Sequence, residues 1–223
     1  GAHLEAIRRD GLQVRSPALG DFTARLTAEA DPSAIGPVDL VMFAVKAYDT
    51  ADALRLVPPL LHDRTAVLTL QNGVDSADEV AAVVGTERVL GGVTYVATAI
   101  AAPGVIAQTG VHRSIVFGEA FGERRAISTR VQAIADVLAP ADIQVTPVAD
   151  ARVPIWDKFV YLAPFAGFTG AARLPIGPLW ARPETREAFY AAAREVAAIA
   201  AAEGVTISAD RFETLAAYME HIP

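Results

Sequence analysis

The apolar positions in the first half of the chain fall into short continuous runs separated by stretches with helical periodicity. Residues 38–45 and 65–70 are β-branched apolar runs, typical of parallel strands buried on both faces. A helix is predicted over about 50–61, ending near Pro58. Ser76 and Glu79 have the spacing of a capping box and predict the start of another helix. This alternation of strands and helices indicates a doubly wound α/β sheet.

From residue 89 to 119 the pattern changes to Thr- and Val-rich runs separated by Pro-Gly and Gly. This spacing predicts antiparallel strands that are added to the parallel sheet. A helix near 125–138 and a short strand over 143–148 are expected to follow. Residues 89–111 carry no charge, but the glycines and Pro103 that interrupt them argue against a membrane span.

Beyond Asp150 the composition becomes helical, with Ala-rich segments at about 151–172, 183–203 and 208–220. Gly204 fits a helix C-cap, and Ser208 fits the start of the last helix. We therefore expect two domains, 1–150 with the sheet and 151–223 with helices alone. No flexible linker separates them, so their boundary should be a packed cleft, which is where ligand sites are commonly found.

Composition narrows the function classes. The formal charge of −7 argues against broad binding to nucleic acid or to an anionic membrane, and favours small-molecule partners. The absence of cysteine excludes disulfides, a thiol nucleophile and thiolate metal sites, so a cytoplasmic location is expected. The four histidines are scattered without metal-ligand spacing, so no metal site is predicted; they are His3, His62, His112 and His221.

Three positions carry candidate chemistry. Lys46 directly follows the first predicted strand, and Asn72 with Gly73 follows the second, at the sheet edge where ligands of such folds bind. A solvated strand end and an ordinary Asn-Gly turn would explain them equally well. Lys158 precedes the uncharged segment 159–172, and burial would lower its pKa and suit it to donate a proton. The alternative is a lysine that extends to the surface or pairs with Asp157.

Four motifs together resemble the ketopantoate reductase (2-dehydropantoate 2-reductase) family. In chain order they are Phe43-Ala44-Val45-Lys46-Ala47-Tyr48, Leu70-Gln71-Asn72-Gly73-Val74, Gly91-Gly92-Val93-Thr94 and Trp156-Asp157-Lys158-Phe159. The resemblance implies a Rossmann-like doubly wound sheet, truncated at its N-terminus, followed by an all-α helical domain, with the active site between them. The family's Gly-rich phosphate loop would lie before Gly1, and its C-terminal tail after Pro223.

By the same resemblance, NADPH delivers hydride to a 2-oxo acid to give a 2-hydroxy acid. Lys158 would be the general acid, Lys46, Asn72 and Gly73 would contact the cofactor, and Asn72 would also lie near the substrate. The family commonly has asparagines at the positions of Leu162 and Ala166, so the substrate pocket should be less polar here. A bulkier or less polar 2-oxo acid than 2-dehydropantoate is therefore one expectation.

Two other readings remain open. One is a 3-hydroxyacid or opine-type dehydrogenase with the same two-domain architecture, and the other is a truncated, non-catalytic relative that acts through its apolar helices. Those helices also suggest a homodimer. Trp180 and Tyr190 are expected in the core or at an interface, Asp49-Thr50 as a helix cap, and Glu119 either near the cofactor or in a strand-end turn.

Overall fold

The computed structural model describes residues 1–219, apart from the side chains of Val111 and Tyr218. Its strands form one sheet in the order β2-β1-β6-β5-β4-β3, with β7 paired to β6. The strands are β1 Leu12–Arg15, β2 Phe22–Ala24, β3 Leu40–Phe43, β4 Ala66–Thr69, β5 Val89–Ala102, β6 Val105–Glu119 and β7 Gln144–Asp150. The α-helices are α1 Ala2–Asp10, α2 Thr50–Leu54, α3 Ser76–Val84, α4 Thr129–Leu138, α5 Arg152–Ala172, α6 Ile176–Trp180, α7 Pro183–Ala202 and α8 Arg211–Met219.

The parallel part of the sheet is formed by β3, β4 and the start of β5. Every residue of β4 is buried. Within β4, Val67 belongs to an apolar cluster that contains Val80 of α3. The next residue, Leu68, belongs to a second cluster that contains Val131 of α4. Because successive side chains of a strand point to opposite faces, helices cover both sides of the sheet. The predicted doubly wound α/β sheet is confirmed.

The predicted antiparallel strands are the long hairpin of β5 and β6. Its turn contains Gly104, whose φ of 78° is in the left-handed region that glycine adopts without strain. The Gly104 N–H donates a hydrogen bond of 3.0 Å to His3 Nδ1, which ties the turn to α1. Both β1 and β7 pair with β6 in parallel. The sequence patterns did not predict α1, β1 and β2.

The helices after Asp150 follow β7 without a linker, since α5 begins at Arg152. Their core contains Val160, Trp180, Phe189 and Leu215. At the end of α7, Gly204 has φ of 76°, and the Val205 N–H donates to the Ala200 carbonyl oxygen at 2.8 Å. This is a Schellman motif, so the predicted C-cap role of Gly204 is confirmed. Within residues 1–219, no helix is long and apolar enough to cross a membrane.

Three local predictions are wrong. The helix predicted over 50–61 ends at Leu54. In a continued helix the ring of Pro58 would clash with the carbonyl group four residues earlier, which is that of Leu54. Ser76 does not cap α3, because it already lies in the first turn and Asp75 occupies the cap position without a side-chain hydrogen bond. The last helix begins at Arg211 rather than at Ser208, whose hydroxyl is hydrogen-bonded to the Asp210 carboxylate.

Candidate active site

Lys158 lies in the second turn of α5 and is buried, with 9% of its surface exposed. Its Nζ donates to Asn72 Oδ1 at 2.8 Å and to the Thr94 carbonyl oxygen at 3.0 Å. Asn72 follows β4, and Thr94 belongs to β5. The lysine therefore joins the first helix after the sheet to the loop after β4 and to the middle of β5.

The groups in direct contact with the Lys158 ammonium are neutral. Besides its two oxygen acceptors, Nζ lies 5.4 Å from the centroid of the Tyr95 ring. Asp157 pairs instead with Arg211, with 3.2 Å between Oδ1 and Nε. Burial lowers the pKa of Lys158 below its ordinary value, because the charged form loses hydration. The side chain thus neither extends to the surface nor pairs with Asp157.

Gln71 fixes the loop that carries Asn72. Its buried amide Nε2 donates to the Val45 carbonyl oxygen at 3.0 Å and to Thr50 Oγ1 at 2.8 Å. These bonds hold the loop after β4 against the segment after β3. Gly73, which follows Asn72, has φ of 111°, and a Cβ there would meet no heavy atom within 4 Å. The backbone at this strand end therefore borders open space.

Lys46 lies three residues after the end of β3, with an exposed side chain. Its carbonyl oxygen accepts from the Asp49 N–H at 2.9 Å, within the 3-10 turn Ala47–Asp49. Asp49 directly precedes α2 but makes no side-chain capping bond, so the predicted cap is wrong in that respect. Lys46 shares the carboxyl edge of the parallel strands with Asn72 but does not contact Lys158.

A cavity of about 460 Å³ lies between the β5–β6 hairpin and helices α5 and α8. Its lining residues are Asn72, Thr94, Tyr95, Val96, Ala97, Thr109, His112, Ser114, Lys158, Tyr161, Leu162, Arg211, Thr214 and Leu215. Leu162, one helical turn after Lys158, is among them. Ala166, two turns after Lys158, is exposed and does not line this cavity.

The sequence patterns missed Arg211 as a cavity residue. Its Nε and Nη2 donate to the Asp157 carbonyl oxygen at 3.1 and 3.0 Å, and its guanidinium carbon lies 5.6 Å from the Tyr161 ring centroid. Burial raises the pKa of the Asp157 carboxyl, an effect that the charge of Arg211 opposes. No local pattern could reveal Arg211, since it enters the site from a separate helix. Tyr161 could have been found, because it lies three residues after Lys158 on one helical face.

Glu119 has a structural explanation. Its Oε1 accepts from Ser128 Oγ at 2.6 Å and from Arg130 Nε at 2.8 Å. Burial would raise the pKa of this carboxyl, but the hydrogen bonds from Arg130 and Ser128 and the charge of Arg130 lower it overall. The residue joins the end of β6 to the start of α4.

The remaining sequence candidates are dispersed. His62 Nε2 lies 3.2 Å from Asp39 Oδ1, His112 lines the cavity, and His221 is outside the described residues. Across residues 1–219 there is no group of three or more metal-ligating side chains that could hold an ion. The rings of Trp180 and Tyr190 lie 5.4 Å apart, and Trp180 is in the helical core as expected.

Comparisons with known proteins agree with this architecture. Residues 1–122 match the family described as ketopantoate reductase PanE/ApbA, and residues 150–222 match its C-terminal domain. The 2-dehydropantoate 2-reductase of Halobacterium salinarum is 33% identical over 210 residues, which are 92% of this chain and 66% of that protein. The chain thus spans slightly less than two thirds of that relative's length.

Solved structures that superimpose on this chain include 2-dehydropantoate 2-reductases as well. The 2-dehydropantoate 2-reductase of Porphyromonas gingivalis superimposes with a TM-score of 0.88 at 28% identity, over 98% of this chain and 75% of that one. The 2-dehydropantoate 2-reductase of Geobacter metallireducens gives a TM-score of 0.86 at 30% identity, over 98% of this chain and 73% of that one. With family matches over both the sheet and the helices, this chain belongs to the ketopantoate reductase PanE/ApbA family.

Proposed function

We propose that this protein reduces a 2-oxo acid, 2-dehydropantoate or a related compound, to the 2-hydroxy acid with NADPH, and that Lys158 is the general acid. The observation that carries the proposal is the buried Lys158 ammonium, which borders a cavity of about 460 Å³ and is held by neutral oxygen acceptors. Family membership supports a reductase, because the similar proteins bear the name 2-dehydropantoate 2-reductase.

The reaction adds a hydride to the carbonyl carbon and a proton to the carbonyl oxygen. A protonated lysine has three N–H donors, and Asn72 and Thr94 each accept from Lys158. One donor therefore remains for a substrate carbonyl oxygen in the cavity. Burial lowers the pKa of Lys158, which eases transfer of this proton as negative charge develops on the oxygen.

The residues present fit the nicotinamide end of the cofactor. Gly73 leaves open space beside its backbone at the carboxyl end of β4, where cofactors of such sheets bind. Asn72 uses its amide oxygen for Lys158, so its amide nitrogen is available as a donor. The exposed Lys46 supplies a positive charge at the neighbouring strand end. When bound, the reduced nicotinamide supplies the hydride.

Leu162 supports a preference within the substrate class. It places an aliphatic side chain on the cavity wall one turn from Lys158, at a position where the ketopantoate reductase family commonly has an asparagine. We propose that 2-oxo acids with apolar side chains are reduced at least as well as 2-dehydropantoate. Ala166 does not line the cavity, so of these two residues we propose only Leu162 as a substrate contact.

We also propose that the protein forms a homodimer through α5 and α7. The proposal is supported by a second cavity of about 590 Å³ between these helices, lined almost entirely by small and apolar residues such as Ala163, Gly167 and Ile199. Light scattering during size-exclusion chromatography measures the mass in solution. A monomeric mass at all concentrations would contradict this proposal.

The experiment that tests the activity follows NADPH consumption by the full natural protein with 2-dehydropantoate and a panel of 2-oxo acids. Turnover of 2-dehydropantoate would support the family reaction, and turnover of only another 2-oxo acid would keep the mechanism with a different substrate. No turnover and no NADPH binding would contradict the proposal and favour a non-catalytic relative.

A further inference from the structure

Two cationic side chains line the cavity beside the proposed general acid. Lys158 comes from α5 and Arg211 from α8, and the lining contains no Asp or Glu among the described residues. A nearby cavity of about 630 Å³ differs, because Asp75, Asp78 and Glu203 line it together with arginines. Asp157, which pairs with Arg211, does not line the first cavity, so the two charged groups that face a ligand there are both positive and favour an anion.

Arg211 has hydrogen-bonding capacity left over. A guanidinium has five N–H donors, and the bonds to Asp157 use only Nε and Nη2. Among residues 1–219, Nη1 has no hydrogen-bond partner. The Arg211 side chain is 16% exposed, so these donors are partly shielded from water. A carboxylate that reached them would form charge-assisted hydrogen bonds.

The guanidinium is also held in place before any ligand arrives. The Asp157 backbone and carboxylate bind one edge of the Arg211 side chain, and the Tyr161 ring lies against it. Asp157 directly precedes Lys158 on α5, so one helical turn positions both cations. Such preorganisation reduces the entropy lost on binding.

We propose that Arg211 binds the carboxylate of the 2-oxo acid while Lys158 binds its carbonyl oxygen. The inference rests on the proposed function and adds a specificity residue to it. A 2-oxo acid carries its carbonyl and its carboxylate on adjacent carbons, and in the proposed arrangement each group faces one of the two cations that line the cavity. A neutral ketone or ester of the same size can engage only Lys158. Arg211 therefore selects acids over uncharged carbonyl compounds.

The test compares kcat/KM for 2-oxo-3-methylbutanoate and for its methyl ester in the full natural protein. Arg211→Gln should lower kcat/KM for the acid on the order of 10- to 100-fold, which is the range for the loss of one hydrogen bond to a charged group. It should change kcat/KM for the ester little. Arg211→Lys, which keeps the charge but loses the planar fork, should recover part of the preference. Equal losses for acid and ester would overturn the inference.

Two further variants separate ligand binding from structural support. Arg113→Gln removes a comparable arginine from its pair with Asp142 outside the cavity, so the acid-to-ester ratio should stay as in the wild type. Asp157→Asn weakens the pair with Arg211 but keeps the backbone carbonyl that accepts its hydrogen bonds. If Asp157→Asn and Arg211→Gln each lowered kcat/KM for the acid and the ester by the same factor, Arg211 would act by supporting α5 rather than by binding the carboxylate, and the inference would fail.

Failure of the proposed function can be told apart from failure of this inference. If the wild type reduces no 2-oxo acid, the proposed function falls, and calorimetric binding of 2-oxo-3-methylbutanoate then decides the role of Arg211. Binding that is lost in Arg211→Gln and retained in Arg113→Gln would sustain the inference. Binding unchanged by Arg211→Gln, or absent from the wild type, would overturn it.

Discussion

The Lys158 ammonium donates a 2.8 Å hydrogen bond to the amide oxygen of Asn72, which lies 86 residues earlier in the chain. This contact links the helical half to the loop after β4 and orients both side chains at one cavity. It also gives the buried ammonium a hydrogen-bond acceptor without neutralising its charge, because an amide oxygen carries no formal charge. In the proposed mechanism, the proton of Lys158 therefore remains available to a substrate oxygen.

Replacing Lys158 with alanine should lower kcat by about 100- to 10,000-fold, the usual contribution of a positioned general acid. NADPH affinity, measured by fluorescence titration, should remain close to that of the wild type. Lys46→Ala is the matched control, because Lys46 is the only other lysine of the chain. It should weaken NADPH binding more than it lowers kcat. Unchanged turnover in Lys158→Ala would remove this residue from the mechanism.

Two variants of Asn72 should move the pH dependence of kcat in opposite directions. Asn72→Asp places a carboxylate beside Lys158, which stabilises the ammonium and raises its pKa. Activity should then persist to higher pH. Asn72→Ala removes an acceptor of the charged form, so the pKa falls and activity should be lost at lower pH. A high-pH limb that stays in place in both variants would show that another group titrates.

The Leu162 position should control the choice between polar and apolar substrates. Leu162→Asn supplies an amide to the cavity wall, so the ratio of kcat/KM for 2-dehydropantoate to that for 2-oxo-3-methylbutanoate should rise about 10-fold. Ala166→Asn is the control, because Ala166 is exposed and lies outside the lining. An equal shift in both variants would contradict a local effect of Leu162.

The sequence predicts those features whose causes are local. Strand β4 was identifiable because burial on both faces leaves an unbroken apolar run. The uncharged segment 159–172 does form a helix, but the burial expected from it is wrong, because only Val160 and Pro164 of this segment are buried. The short α1, β1 and β2 elements leave weaker patterns and were missed. Arg211 could not be found because its place depends on how α8 packs against α5, which no local pattern encodes.

Burial of Lys158 should also appear in the pH dependence of stability. Its folded pKa lies below the ordinary lysine value, so the unfolded chain binds more protons between these two pKa values. The free energy of unfolding therefore rises with pH through that window. Below the folded pKa of Lys158, the full cost of burying its charge is present. Urea unfolding across alkaline pH measures this, with Lys158→Met as the reference. The wild type should gain stability relative to Lys158→Met as pH rises, because only the wild type sheds a buried charge. A difference between the two proteins that does not change with pH would show that the pKa of Lys158 is the same in the folded and the unfolded chain, and the lowering of this pKa by burial would then be wrong.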